Sequence, residues 1–353
     1  MKELIALVEE RSIIVCTGTG GVGKTTTAAV LAVEAARRGR RAVVVTIDPA
    51  KRLADTLGIA QLGNTPVRIE GDWPGQLSAL MLDTKSTFDH LVRTYAADTA
   101  QAERIFANRF YRNISGALSG TQEYMAGEKL HELHESGDFD LVVVDTPPTR
   151  HALDFLDAPR RLTAFLDHKL YRALVAPTRA YLRAVNVAAQ TFVRAIGKVV
   201  GAEALDDGLA FFTAFEGMEQ GFRDRAARVQ SLLTDPRTAY VLVASPRADT
   251  VAEAAFFADR LEQLAVPVAA LVVNRVHPRF GNGTASDARR KAKGPQAALY
   301  ANLAQLRTMA EGEEGHLVDL AARVSPAPVV RVPFLPHDVH DLDTLAEVAS
   351  HLF

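Results

Sequence analysis

A chain of 353 residues, 48% hydrophobic and 23% charged, has the make-up of a folded globular protein with ample length to bury a core, as one large or two ordinary domains. Its net charge of −2 offers no global attraction to nucleic acid or to an anionic membrane, and its single cysteine, Cys16, excludes intrachain disulfides and any multi-thiolate metal site within one chain. No run approaches the ~20 apolar residues that span a bilayer, and Glu9, Glu10 and Arg11 interrupt any signal-peptide layout early, so the cytoplasm is the expected compartment.

The apolar, β-branched run from Ser12 to Cys16 reads as a buried strand, and the Ala-rich stretch from Thr25 to Arg38 as a helix. Between them stands Gly18-Thr-Gly-Gly-Val-Gly-Lys-Thr-Thr-Thr27, in which Gly18, Gly23, Lys24 and Thr25 have the spacing of a phosphate-binding loop. Glycines let the backbone curl so that the amides of Gly20, Gly21, Val22, Gly23 and the following Lys24, Thr25 and Thr26 face phosphate oxygens, with the positive end of the helix behind them. Lys24 reaches the outer phosphates, and the Thr25 hydroxyl can ligate a bridging Mg²⁺. The same glycines fit a dinucleotide-binding pattern literally, but Lys24 and Thr25 follow at once, which favours a nucleoside triphosphate.

A second buried strand, Arg41 to Ile47, leads into Asp48-Pro-Ala-Lys-Arg52. A carboxylate at the C-terminal end of a parallel strand faces the ligand crevice, so Asp48 is a candidate both for a metal contact and for orienting the attacking water. It equally fits an N-cap for a helix at Arg52 to Leu57, and the two readings are compatible. After a strand at Leu77 to Leu82, the pattern is helical from Thr84 to roughly Gly137. Phe139 to Asp145 is again a buried strand; its terminal Asp145 reads as a Mg²⁺-holding acid, or as a plain capping residue. Thr146-Pro-Pro-Thr-Arg-His151 has the stiff turn and short hinge of a segment that rearranges when the γ-phosphate leaves.

Arg161 to Leu233 holds no convincing strand. Tyr181, Val185, Ala188, Phe192 and Ile196 form an apolar stripe there, which suits helix packing or a client-binding groove. Strand-helix alternation resumes at Thr238 to Ala244, Asp249 to Leu264 and Val268 to Asn274. His277 to Pro295 reads as a mobile surface loop, ending in the basic Arg289, Arg290, Lys291 and Lys293. A long helix from Gln296 to Arg323, a strand from Pro328 to Val332 and a helix from Leu342 to Leu352 complete the chain. The expected fold is α/β: a mostly parallel P-loop NTPase sheet flanked by helices in a single ATPase domain, 1–353, with an inserted α-helical subdomain formed by about 84–137 and 161–233.

With those residues in view, the chain resembles the ArsA-like branch of the deviant-Walker-A P-loop ATPases, which includes the arsenite-pump and tail-anchored-protein-targeting ATPases. The Thr121-Gln-Glu-Tyr-Met-Ala-Gly-Glu-Lys129 and Leu153 to Pro159 stretches carry the resemblance further, to a bacterial branch known as anion-transporting. The resemblance implies ATP and Mg²⁺ as cofactors, Asp48 and Lys24 as catalytic residues, Asp48 in switch I, and Asp145 to His151 as switch II. It also implies adenine contacts at Asn274-Arg275 and Pro333-Phe334, a homo- or heterodimer, and a hydrophobic or protein client. Thr19 stands where the family carries a lysine that crosses to the partner's nucleotide, which points to a paralogous lysine-bearing partner or to a substitute such as Arg150. The zinc and arsenite sites need cysteines that this chain lacks. A scaffold subunit with little hydrolysis and a partition-like nucleic-acid binder are the alternatives.

Overall fold

The computed structural model describes residues 2–48, 50, 52–112, 121–147, 154–168 and 202–353. The chain opens with α1 (Lys2–Glu10), β1 (Ile13–Gly18), α2 (Lys24–Arg37), β2 (Arg41–Thr46), α3 (Arg52–Thr56), β3 (Val67–Ile69) and β4 (Gln76–Met81). It continues through α4 (Thr84–Tyr95), α5 (Thr99–Ala107), α6 (Thr121–Glu135), β5 (Leu141–Asp145), α7 (Asp154–Asp167), α8 (Ala202–Ala214) and α9 (Glu219–Leu233). It ends with β6 (Thr238–Ala244), α10 (Ala248–Gln263), β7 (Val268–Val276), α11 (Ala285–Lys291), α12 (Ala297–Arg323), β8 (Val329–Pro333) and α13 (Leu342–Leu352).

Two compact units divide these elements: Met1–Leu82, Leu133–Leu153 and Thr234–Phe353 form the first, Asp83–Glu132 and Asp154–Leu233 the second. The first is built on an eight-stranded sheet of order β3-β4-β2-β5-β1-β6-β7-β8. Every pairing is parallel except that of β3 with β4. This is the α/β sheet that the sequence predicts. Residues of β1, β5 and β6 are buried on both faces, which is why these strands read as continuous apolar runs rather than as alternating patterns. The core joins them to α2 and α13 through residues such as Ile14, Ala28, Leu31, Val143, Val241 and Leu352.

The second unit is helical in all its described parts, with a core of Leu91, Ile105, Tyr111, Phe211, Phe215 and Phe222. Its rings contact one another, Tyr111 stacked on Phe211 and Phe215 tilted against Phe222 with centroids 4.9 Å apart. The apolar stripe from Tyr181 to Ile196 lies outside the described residues, as do Pro49, Lys51 and residues 148–153.

One expectation is overturned. The stretch from His277 to Pro295 is not simply a loop: it contains α11, opened by a capping box in which Thr284 and Asp287 bond each other's backbone amides. Its preceding turn is pinned by Arg307 of α12, which donates to the carbonyls of Arg279, Phe280, Asn282 and Thr284 at 3.0–3.3 Å and is buried. Arg307→Met is expected to destabilise this turn by about 3 kcal/mol, because it strands several acceptors at once. Limited trypsin digestion should then cut after Arg279 well before the rest of the fold; unchanged cleavage there would refute the pin.

Candidate nucleotide site

The order β5-β1-β6 reverses chain direction of winding around β1, and ligands of open parallel sheets bind at such a point, outside the carboxyl ends of the strands. The loop from β1 to α2 lies there. Gly18 is fixed by space, since a Cβ on it would sit 2.1 Å from the carbonyl oxygen of Val243 in the neighbouring β6. Gly23, the residue before α2, has φ +94 and a Cβ position only 2.1 Å from the Asn274 amide nitrogen, so both its conformation and its surroundings require glycine.

Lys24 is the first residue of α2 and is 5% exposed. Its ammonium donates to the Thr19 carbonyl at 2.6 Å. Burial lowers its pKa, and the nearby carboxylates of Asp145 and Asp48 oppose that fall. Thr25 donates its hydroxyl to Asp145 Oδ2 at 2.8 Å, and Thr46 donates to the same oxygen at 2.9 Å. Register explains the second contact: Thr46 and Asp145 are Cα partners in the β2–β5 pairing, with Cys16 facing Asp145 from β1. Asp145 is 1% exposed, its Oδ1 has no partner, and burial raises its pKa to about 6. Burial also pushes the Cys16 thiol up, so Cys16 is a neutral core residue here.

Two cavities open beside the loop. One, of about 340 Å³, is lined by Gly21, Gly23, Lys24, Thr25, Thr26, Asp48, Arg52, Asp55, Thr56, Thr146, Arg275 and Val339. Asp48 is half-buried in its wall, and its Oδ1 accepts from the Ala50 amide at 3.0 Å. The other, of about 450 Å³, takes Gly20, Gly21 and Val22 on one side and Ser245, Thr250, His277, Glu313 and Phe334 among its remaining walls. Here the His277 ring lies parallel to Phe334 with centroids 5.9 Å apart, and His277 Nδ1 pairs with Glu313 Oε1 at 2.5 Å. Gly21 and Arg275 border both cavities. Lys24, Thr25, Thr26 and Asp48 are therefore together, with Asp145 hydrogen-bonded to Thr25, whereas Phe334 faces the other cavity and Pro333 closes β8.

The sequence does not single out Thr46, Asp55, His277 or Glu313, and it takes Arg52 and Thr146 only as parts of the segments that follow Asp48 and Asp145. Thr46 flanks Asp48 closely enough to have been noticed. The His277–Glu313 pair joins positions 36 apart and has no sequence signal.

A glycine loop on a parallel strand, a helix-opening lysine and a threonine bonded to a strand-end aspartate define a P-loop nucleoside triphosphatase. Comparison with known proteins carries this further: the profile of the anion-transporting ATPase family matches residues 11–353, and the chain belongs to that family, whose members are ATPases. It is 25% identical over 349 residues to the ATPase GET3 of Malassezia globosa, covering 98% of this chain and 92% of that protein. Against the putative arsenical pump-driving ATPase 1 of Aquifex aeolicus it is 23% identical, covering 97% of this chain and 78% of that one. A putative arsenical pump-driving ATPase of Halobacterium salinarum is 33% identical over 177 residues, 47% of this chain, which span only 26% of its own length. No described helix is long and apolar enough to cross a membrane.

Proposed function

We infer that the chain hydrolyses Mg-ATP as a conformational switch that drives its helical unit. The observation that carries this is the linkage beneath the Lys24 cavity: Thr25 and Thr46 hold one oxygen of a buried Asp145 and leave the other unpartnered. A buried carboxylate oxygen without a donor suits a cation, directly or through water, with the Thr25 hydroxyl as its neighbour. Bound Mg²⁺ would neutralise charge on the phosphate oxygens. Thr25, Asp145 and Asp48 are the residues that would hold it.

Lys24 supplies a full positive charge to the phosphates, and the amides from Gly20 to Thr26 supply directed donors. Asp48 orients the attacking water. Asn274 and Arg275 of β7, with Pro333 at the end of β8 and Phe334 after it, border the adenosine; Arg275 and Val339 bring that side of the sheet to the Lys24 cavity. The route to the helical unit is covalent and short: β4 ends at Met81 and that unit begins at Asp83, while β5 ends at Asp145 and the unit resumes at Asp154. A protein or hydrophobic client on the helical unit and a dimeric state complete the reading. Thr19 is buried and meets Lys24 through its carbonyl, so any second cation at this loop comes from elsewhere, such as a paralogous partner that keeps a lysine.

Asp48→Asn tests the chemistry. It keeps the shape and an acceptor for the Ala50 amide but removes the charge that acts on water. Single-turnover hydrolysis is expected to slow on the order of a hundredfold while ATP affinity stays within a few-fold. An equal loss of affinity would assign Asp48 to binding instead.

A further inference from the structure

Near its C-terminal end, β7 departs from regular pairing with β8, the register shifting between Val273 and Val276. The two residues in that irregularity are Asn274 and Arg275. Such a bulge re-aims side chains, and here it turns both onto the phosphate-binding loop. Asn274 Nδ2 donates to the Val22 carbonyl at 2.9 Å, and Arg275 Nη1 donates to the Gly21 carbonyl at 3.0 Å. The arrangement is locked locally: Asn274 Oδ1 accepts the Arg275 amide at 2.9 Å, and Arg275 has φ +62, a left-handed conformation that disfavours a side chain. Gly23 leaves room for the Asn274 amide where no other residue would.

Two consecutive carbonyls of the loop are thus held by one strand. In a planar trans peptide the C=O of one residue and the N–H of the next point in opposite directions. Holding the carbonyls of Gly21 and Val22 therefore fixes the direction of the Val22 and Gly23 amides, away from β7. These are amides that the nucleotide reading places on phosphate oxygens.

We propose that Asn274 and Arg275 are positioning residues which, through their paired bonds to Gly21 and Val22, hold the loop amides ready for phosphate and so set how long nucleotide stays bound. The proposal rests on the nucleotide reading above and adds to adenosine contact a role directed at the loop itself. Arg275 borders both cavities, so its movement would loosen the loop where it faces each of them.

The test is stopped-flow release of a fluorescent ATP analogue and of the matching ADP analogue, together with thermal unfolding of each variant. Arg275→Met keeps the aliphatic stem and removes the donor; release is expected to quicken about tenfold, the worth of one charge-assisted bond. Arg275→Lys, which restores a donor, should recover most of the difference. Arg275→Gly separates positioning from stability, since it relieves the left-handed backbone yet removes the tether. Its thermal midpoint should hold or rise while release still quickens. Asn274→Asp, which sets a carboxylate against the Val22 carbonyl, should quicken release at least as much as Arg275→Met. Wild-type binding with unchanged release from Arg275→Met and Arg275→Gly would overturn the tether alone. A wild-type chain that retains no nucleotide would overturn the nucleotide reading, and the tether with it.

Discussion

Lys24→Ala is expected to lower affinity for ATP on the order of a hundredfold, the loss typical of a charge-assisted contact to phosphate in a sheltered site. Lys24 is the cation that the loop itself supplies, its stem is buried, and its ammonium is already held at the Thr19 carbonyl. The alanine variant leaves that carbonyl without its donor and gives the phosphates only directed amides. Arg52 and Arg275 line the same cavity, so some attraction for a polyanion survives. Titration calorimetry with ATP in the presence of Mg²⁺ reads the effect. Lys24→Arg should restore little, because Lys24 is buried and places one compact ammonium at the Thr19 carbonyl, a position that a larger forked guanidinium does not reproduce. An alanine variant within threefold of wild type would show that the phosphates lie elsewhere.

The phosphate-binding loop is legible in the sequence because everything it needs is local: a strand, four glycines within six positions, Lys24 and Thr25, then a helix. The buried strands are legible too, since a parallel sheet covered on both faces demands unbroken apolar runs such as Leu141 to Val144. The contacts of Asp145 are not legible. Thr46 lies 99 positions away, and only the β2–β5 register brings its hydroxyl to Oδ2. The edge strand β3 escapes because it has three residues, of which only Ile69 is buried. Helix α11 escapes because its capping box sits between a glycine-rich turn and a basic run, a composition that reads as loop. What holds that turn is Arg307, more than twenty residues later, whose type alone suggests a solvated helix face.

Asp145→Asn is expected to change stability and metal response in opposite directions. Burial carries the Asp145 pKa from its ordinary 3.8 to about 6. A carboxyl that binds its proton more tightly in the folded protein stabilises the fold when protonated, so that contribution is present below about pH 4 and is lost as the pH rises through about 6. The span corresponds to about 3 kcal/mol. Asparagine has no such titration and can still accept from Thr25 and Thr46 through its carbonyl oxygen. In EDTA, the stability of the variant relative to wild type should therefore rise by about that amount between pH 4 and pH 7. With ATP the order reverses: adding Mg²⁺ at pH 7.5 should raise the wild-type thermal midpoint, since an ion favours the ionised Asp145 that burial disfavours. The variant offers an amide group where the wild type has an unpartnered oxygen, so its midpoint should respond far less. Thermal unfolding of both proteins at pH 4 and pH 7 in EDTA, then at pH 7.5 with ATP with and without Mg²⁺, reads both effects. Parallel pH curves would remove the burial cost, and an equal Mg²⁺ response would remove Asp145 from the metal site.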